Sequence, residues 1–246
     1  MLLPYSLHLG GGRVCPAVDI ESPDELAAAV RGLRLAVPTP ALVLVGGADG
    51  LAEAAARWLR GLFRDCVAPL VDRLGAALID GGTDAGVMAL IGHARLAIGG
   101  AFPLVGVVAR GTVARFDDVA RAGQMGAALE PNHTHFLMVP GESWGDESPW
   151  ISRAAEVLSA GSASATLVAG GGAVTRRDVE HSLRAGRPTW LLKHSGGTAD
   201  ALADALSAGE LPKLEVSQAR LALLRVIERE DAGSTLPELL CSLFAA

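Results

Sequence analysis

Four segments of this chain combine residue types that can do chemistry. In Asp80-Gly81-Gly82-Thr83-Asp84-Ala85-Gly86-Val87-Met88, two glycines and a threonine precede a third glycine that opens a helix. Backbone N–H groups and a hydroxyl in such a turn can wrap a phosphate. The spacing is neither a Walker A loop, which needs Lys-Ser/Thr, nor G-x-G-x-x-G. The second segment, Leu129-Glu130-Pro131-Asn132-His133-Thr134-His135-Phe136, carries one Asn and two His into an apolar run. Three readings stay open for it: metal ligation, a buried hydrogen-bonded histidine, or contact of Asn132 or His133 with a phosphate or ribose. The third, Gly141-Glu142-Ser143-Trp144-Gly145-Asp146-Glu147-Ser148-Pro149-Trp150, puts two of the four tryptophans in an acidic loop. Their rings either stack on a nucleotide base or cover the sheet edge. Arg153, just beyond, can pair with Glu147 or grip a phosphate bidentately. The fourth, Ala169-Gly170-Gly171-Gly172-Ala173-Val174-Thr175-Arg176-Arg177-Asp178, is another glycine-rich turn. Its two arginines oppose the dipole of the helix they open, a cost that a bound anion would offset. Arg110-Gly111 and Ser195-Gly196-Gly197-Thr198 repeat the motif of glycine and polar residue after an apolar run. Asp80, Asp84, Glu147 and Asp178 are the carboxylates placed for acid–base work. No nucleophile stands out: there is no G-x-S-x-G elbow, Cys66 falls mid-helix, and Cys15 and Cys241 lie near the ends. The spacing of the three cysteines fits neither a zinc motif nor a disulfide framework, and no metal is expected.

The elements that must position these residues follow from hydrophobic patterning. Ala41–Val45, Ala76–Ile79, Leu104–Ala109, His135–Val139, Thr166–Ala169 and Thr189–Leu192 are short apolar runs, each ending in a turn that carries glycine. Their length suits strands buried on both faces. Helical segments separate them, over Leu51–Leu74, Gly86–Leu96, Ile151–Ser159, Arg176–Ala185 and Thr198–Ala208. Alternation of this kind predicts an α/β fold: a Rossmann-like, doubly wound and mainly parallel sheet flanked by helices. Arg13–Ile20 reads as an edge strand. Pro23–Arg34 reads as a helix, with Ser22 as its N-cap and acid in its first turn. Residues 1–39 form an N-terminal extension, 40–208 the ligand-binding core, and 209–246 C-terminal helices that pack on the core. One helix is expected over Glu215–Arg229, with Leu221, Leu224 and Val226 or Ile227 on a stripe, and a second over Leu236–Phe244. These two can supply a homodimer contact.

Composition sets outer bounds. The 246 residues carry 21 basic and 27 acidic side chains, a net charge of −6, the wrong sign for a generic nucleic-acid binder. Half the residues are hydrophobic, which excludes a disordered chain. Mean hydropathy is +0.35, but the uncharged run Leu96–Ala109 is broken by glycines and Pro103 and falls short of a membrane span. Met1–Gly12 has neither a basic nor a long apolar region, so a cytoplasmic location without a signal peptide is expected.

The motifs Gly46–Leu51 (GGADGL), Ile79–Gly92 (IDGGTDAGVMALIG), Leu104–Val113 (LVGVVARGTV), Leu129–Val139 (LEPNHTHFLMV), Gly170–Gly172 and His194–Ala203 (HSGGTADALA) occur in this order. Together they closely resemble the SLOG superfamily, and within it the LSDAT domain. That domain is shared by stand-alone prokaryotic proteins and the cytosolic N-terminal region of TRPM cation channels. The resemblance covers Pro40 to Leu206. It implies a nucleotide-derived ligand, ADP-ribose or a related NAD-derived molecule, bound at the carboxyl ends of the strands with no further cofactor required. By position it implies that Gly46, Gly47, Gly81, Gly82, Thr83, Gly86 and Val87 line a phosphate region. It implies further that Trp144 stacks on a base and that Glu147 matches an acidic residue of the channels. Arg110, Gly111, Asn132, His133, Arg153, Gly170, Gly171, Gly172, Ser195 and Gly196 complete the expected binding set. Where the channel loop soon continues with a basic residue, this chain has Ile151. Another SLOG branch, the cytokinin-activating phosphoribohydrolases, carries P-G-G-x-G-T-x-x-E. Aligned on Ala169–Val174, this chain has Arg177 at the catalytic acid and Asp178 one residue later. The alternative function is therefore N-glycosidic nucleotide hydrolysis by Asp178 or Glu147.

Overall fold

The computed structural model describes residues 2–48, 50–114 and 126–244. Asp49 of the Gly46–Leu51 motif lies outside them. Among the described residues, nine strands form one sheet, ordered β1-β2-β6-β5-β4-β3-β7-β8-β9. They are β1 Tyr5–His8, β2 Val14–Asp19, β3 Ala41–Gly46, β4 Ala77–Asp80, β5 Leu104–Ala109, β6 His135–Val139, β7 Ser164–Ala169, β8 Thr189–Leu192 and β9 Leu224–Ile227. All neighbours pair in parallel except β1 with β2. Every residue of β4, β5 and β8 is buried, as the uninterrupted apolar runs require.

Helices cover both faces. On one face lie α2 (Glu53–Leu62), α3 (Ala68–Arg73), α4 (Gly86–Ile98) and α9 (Ala232–Phe244), packed on Leu42, Leu44, Leu78 and Leu167. On the other lie α1 (Leu26–Gly32), α5 (Ser148–Ser159), α6 (Ala173–Arg184) and α7 (Gly197–Ser207), packed on Val43, Val45, Val168 and Leu191. Adjacent strand residues thus feed opposite cores, as the two-residue period of a strand demands.

Three expectations change. Leu51–Leu74 is interrupted: a π-helical turn, Phe63–Val67, joins α2 to α3. Pro69, in the first turn of α3, has no N–H to continue the α-helical ladder. Glu215–Arg229 is not one helix. It holds a single turn, α8 (Gln218–Leu221), and then β9, which pairs with β8 from Thr189↔Leu224 to Leu192↔Ile227. The β-branched pair Val226-Ile227 fits a pleated strand, and the edge of β8 offers unpaired backbone groups. The segment Tyr5–His8, not anticipated, adds an antiparallel edge strand.

Chain direction decides where a site forms. From β3 the chain proceeds outward through β4 to β5, whereas β7 starts beside β3 and leads the other way through β8 to β9. The crevice above the carboxyl ends of β3 and β7 is therefore a topological switch point, where open α/β sheets bind ligands.

Candidate functional site

A cavity of about 380 Å³ opens at this switch point. Its floor is the carboxyl end of β3 (Leu44, Val45, Gly46) and the turn after it (Gly47, Ala48). One wall is the turn after β4 and the start of α4, with Gly81, Thr83, Ala85 and Met88. The facing wall is the start of α6, with Gly172, Ala173, Val174, Thr175 and Asp178. Trp144, Glu147 and Ile151, from the loop after β6 and the start of α5, close the side, and Ala127 completes the lining. The first turns of α4 and α6 both face the cavity. Helix N-termini present N–H groups without intrahelical partners and carry the positive end of the dipole.

The local backbone explains the glycines. A Cβ at Gly46 would fall onto the carbonyl of Ala169, so β3 and β7 could not run so close. Gly86 has φ +47°, and a Cβ there would meet the Gly47 carbonyl. That contact lets Val87 N–H donate to Gly47 O at 3.0 Å, tying α4 to the turn after β3.

Among the described residues, two carboxyl groups line the cavity. Glu147 accepts the Gly145 N–H at both oxygens, 3.1 and 2.9 Å. Burial pushes its carboxyl above the ordinary range against those bonds, and Asp146 adds to the rise. Asp178 is 8% exposed, and its Oδ1 has no hydrogen-bond partner among the described residues. Burial first, and then the Glu147 charge, push it up to about 7, with the Ser148 hydroxyl and Arg177 opposing. Perturbed carboxyls in a cleft mark functional sites. Arg177 does not line the cavity. Its Nη2 donates to Trp144 O at 2.9 Å and fastens the Gly141–Glu147 loop to α6. Trp144 itself remains 51% exposed at the rim.

Beneath the turn after β4 lies a buried charge network. The His133 ring, fully buried, sits with Nε2 2.7 Å from Asp80 Oδ1 and Nδ1 2.8 Å from Glu130 Oε2. Burial works against a charged ring, but the two carboxylates prevail and raise it to about 9. Asp80 Oδ1 also accepts Gly82 N–H at 2.8 Å and so shapes the turn. Asn132 donates its backbone N–H to Glu130 Oε2 at 2.8 Å and its amide to Glu130 Oε1, and it accepts from Arg13.

Of the residues singled out in the sequence, the structure brings Gly46, Gly47, Gly81, Thr83, Trp144, Glu147, Gly172 and Asp178 to the cavity lining. The others have different places. Gly82, Gly86 and Val87 shape the turns behind it. Asn132 and His133 belong to the buried network. Arg110 pairs with Glu21 at 2.6 and 2.8 Å, and Gly111 N–H bonds Gly141 O at 2.8 Å. Arg153 pairs with Glu156 on the surface of α5. Gly170 and Gly171 are joined to the next turn: Gly170 N–H donates to Ser195 Oγ at 2.8 Å, and Thr198 N–H to Gly171 O at 2.8 Å. Gly196 caps α7. One group of metal-ligand type lies elsewhere. His194, Glu228 and Glu230 bring ligand atoms within 4.8 Å of one another, but Lys193 Nζ sits 3.5 Å from Glu228 Oε1 and engages that carboxylate.

Thr175 is a lining residue that the pattern Ala169–Val174 passed over. Read one residue later, with Gly170 at the proline of P-G-G-x-G-T-x-x-E, the chain runs Gly171-Gly172-Ala173-Val174-Thr175-Arg176-Arg177-Asp178. Thr175 and Asp178 then fall on the threonine and the acid, and both line the cavity.

A parallel sheet wound in both directions from a cavity at its switch point defines a Rossmann-like α/β protein. The chain belongs to a family described as SLOG in TRPM, prokaryote, whose model matches residues 39–234. Among solved structures it is similar in fold to TM1055, a structural-genomics target, with TM-score 0.55, 18% identity and coverage of 81% of this chain and 99% of that one. It is similar also to the molybdenum cofactor binding protein from the phototrophic bacterium Rippkaea orientalis, with TM-score 0.54, 13% identity and coverage of 83% and 99%. No curated protein gives a significant match. Among the described residues, no helix is long and apolar enough to cross a membrane.

Proposed function

We propose that the protein binds a nucleotide-derived small molecule, ADP-ribose or a related NAD-derived nucleotide, in the cavity between β3 and β7. The observation that carries this reading is the make-up of that cavity. Glycine turns and two helix N-termini meet there, offering amides to a phosphate without a lysine, and a half-exposed tryptophan stands at the rim as a stacking surface. Membership of the SLOG family supports the same reading, as does the existence of a molybdenum cofactor binding protein of this fold. Calorimetric titration with ADP-ribose and AMP tests it. Saturable binding is expected, and Trp144→Ala should weaken it by roughly 1–3 kcal/mol. Intact folding with no binding of either of these, nor of nicotinamide mononucleotide, refutes the proposal.

Asp178 favours a second reading, hydrolysis of the N-ribosyl bond. A carboxyl group poised at about 7, with one oxygen lacking a partner among the described residues, is suited to proton transfer near neutral pH. Release of free base from AMP that vanishes in Asp178→Asn supports it. Binding without release leaves a sensor.

A further inference from the structure

The cavity has two unlike ends. Toward β3, β4 and α4 its lining is Gly46–Ala48, Gly81 and Thr83, whose backbone groups and single hydroxyl suit an anion. Toward α5 and α6 it is the first turn of α6, Gly172 to Thr175, together with Ile151, Trp144 and both lining carboxyl groups, Glu147 and Asp178. Among the described residues, none of those lining the cavity is Lys, Arg or His.

Four charged groups of the described residues about the second end have defined places. Glu147 is held by Gly145 N–H. Asp146 Oδ2 accepts the N–H groups of Glu142 and Ser143, at 3.0 Å each. Asp178 keeps one oxygen without a partner among the described residues. Arg177 lies behind the loop, against Gly145 and the Trp144 carbonyl. Among the described residues, these three carboxyl groups stand against one guanidinium, so this wall is acidic.

A neutral base resting on Trp144 would gain stacking and at most a hydrogen bond from an amino group to a carboxylate. A ring bearing a fixed positive charge gains on both counts, since the face of an indole attracts a cation and partly buried carboxylates attract it further. We infer that the ring seated against Trp144 is cationic, so that the site selects N-ribosyl pyridinium nucleotides over nucleotides with a neutral base. This inference rests on the nucleotide reading given above. The phosphate then occupies the amide end and the pyridinium the acidic end, which matches the polarity of the cavity.

Oxidised and reduced nicotinamide mononucleotide differ at the ring charge and share ribose and phosphate, so calorimetric titration of the wild-type protein with both isolates the effect. AMP and ADP-ribose serve as neutral-base references. The oxidised form should bind at least about ten-fold more tightly than the reduced form. That ratio should collapse in Glu147→Gln or Asp178→Asn, which remove charge at nearly constant shape. Equal affinities, or a ratio unchanged in both variants, overturn the inference while AMP or ADP-ribose binding keeps the nucleotide reading intact. Failure of all four nucleotides to bind the folded protein overturns the nucleotide reading and the inference with it.

Discussion

Asp178 sits where burial and charge work against its ionisation, and this has a measurable cost. Its folded-state pKa is raised from 3.8 to about 7. A carboxyl group shifted upward destabilises the fold once pH exceeds its unfolded value, progressively up to the folded value and constantly above it. Asp178→Asn should therefore stabilise the unliganded protein by up to about 4 kcal/mol at pH 8 and by little near pH 4. Urea denaturation at both pH values measures the difference, and equal gains at the two would contradict the assignment. His133 has the opposite linkage. Its pKa is raised from 6.5 to about 9, so its contribution is complete below 6.5 and is lost as pH climbs toward 9. The loss amounts to roughly 3 kcal/mol. A falling urea midpoint across that window and an imidazole nitrogen resonance titrating near 9 are the expected signatures. A ring that titrates near 6.5 would show that Asp80 and Glu130 do not hold the proton there. Residue types alone left His133 open among ligand, metal and structural roles. The choice depends on which carboxylates the fold sets beside it, and Asp80 is 53 positions away in the chain.

At the scale of elements, the turns that end β3, β4 and β7 are coupled to the helices that follow. Gly86 is the sharpest case, since both its φ of +47° and the carbonyl of Gly47 exclude a side chain. Gly86→Ala should cost more than about 2 kcal/mol of stability, read as a lowered urea midpoint, and it should weaken nucleotide binding as the α4 N-terminus shifts. A variant with unchanged midpoint and affinity would show that the turn is not constrained. These glycine turns were legible in the sequence because uninterrupted apolar runs announce two-sided burial and the glycines mark where each run stops. Tyr5–His8 was not legible. Only Leu7 is buried there, and an edge strand of four residues leaves little pattern. Leu224–Ile227 was misread because Leu221, Leu224 and Ile227 also satisfy helical spacing, and only the open edge of β8 settles the matter. Thr175 was missed through a one-residue choice of alignment within three consecutive glycines, which no local signal resolves.

Across the whole molecule, segments on either side of residues 40–208 build the borders of one sheet: β1 and β2 at one edge, β9 at the other. Ala232, Leu236 and Leu240 of α9 are fully buried in the core that α2, α3 and α4 share. Truncation after Gly209 should therefore uncover that core and the edge of β8, giving aggregated protein on size-exclusion chromatography. A monomeric, soluble truncate would show that β9 and α9 are dispensable.

The pairing of β3 with β7 has a further consequence. It is the seam where the two directions of winding meet, and the cavity lies across it. A molecule seated there touches the turns of both wings and acts as a clamp. Backbone amides of β3 and β7 should then gain hydrogen-exchange protection together on ligand addition, so that two halves able to open separately would come to open as one.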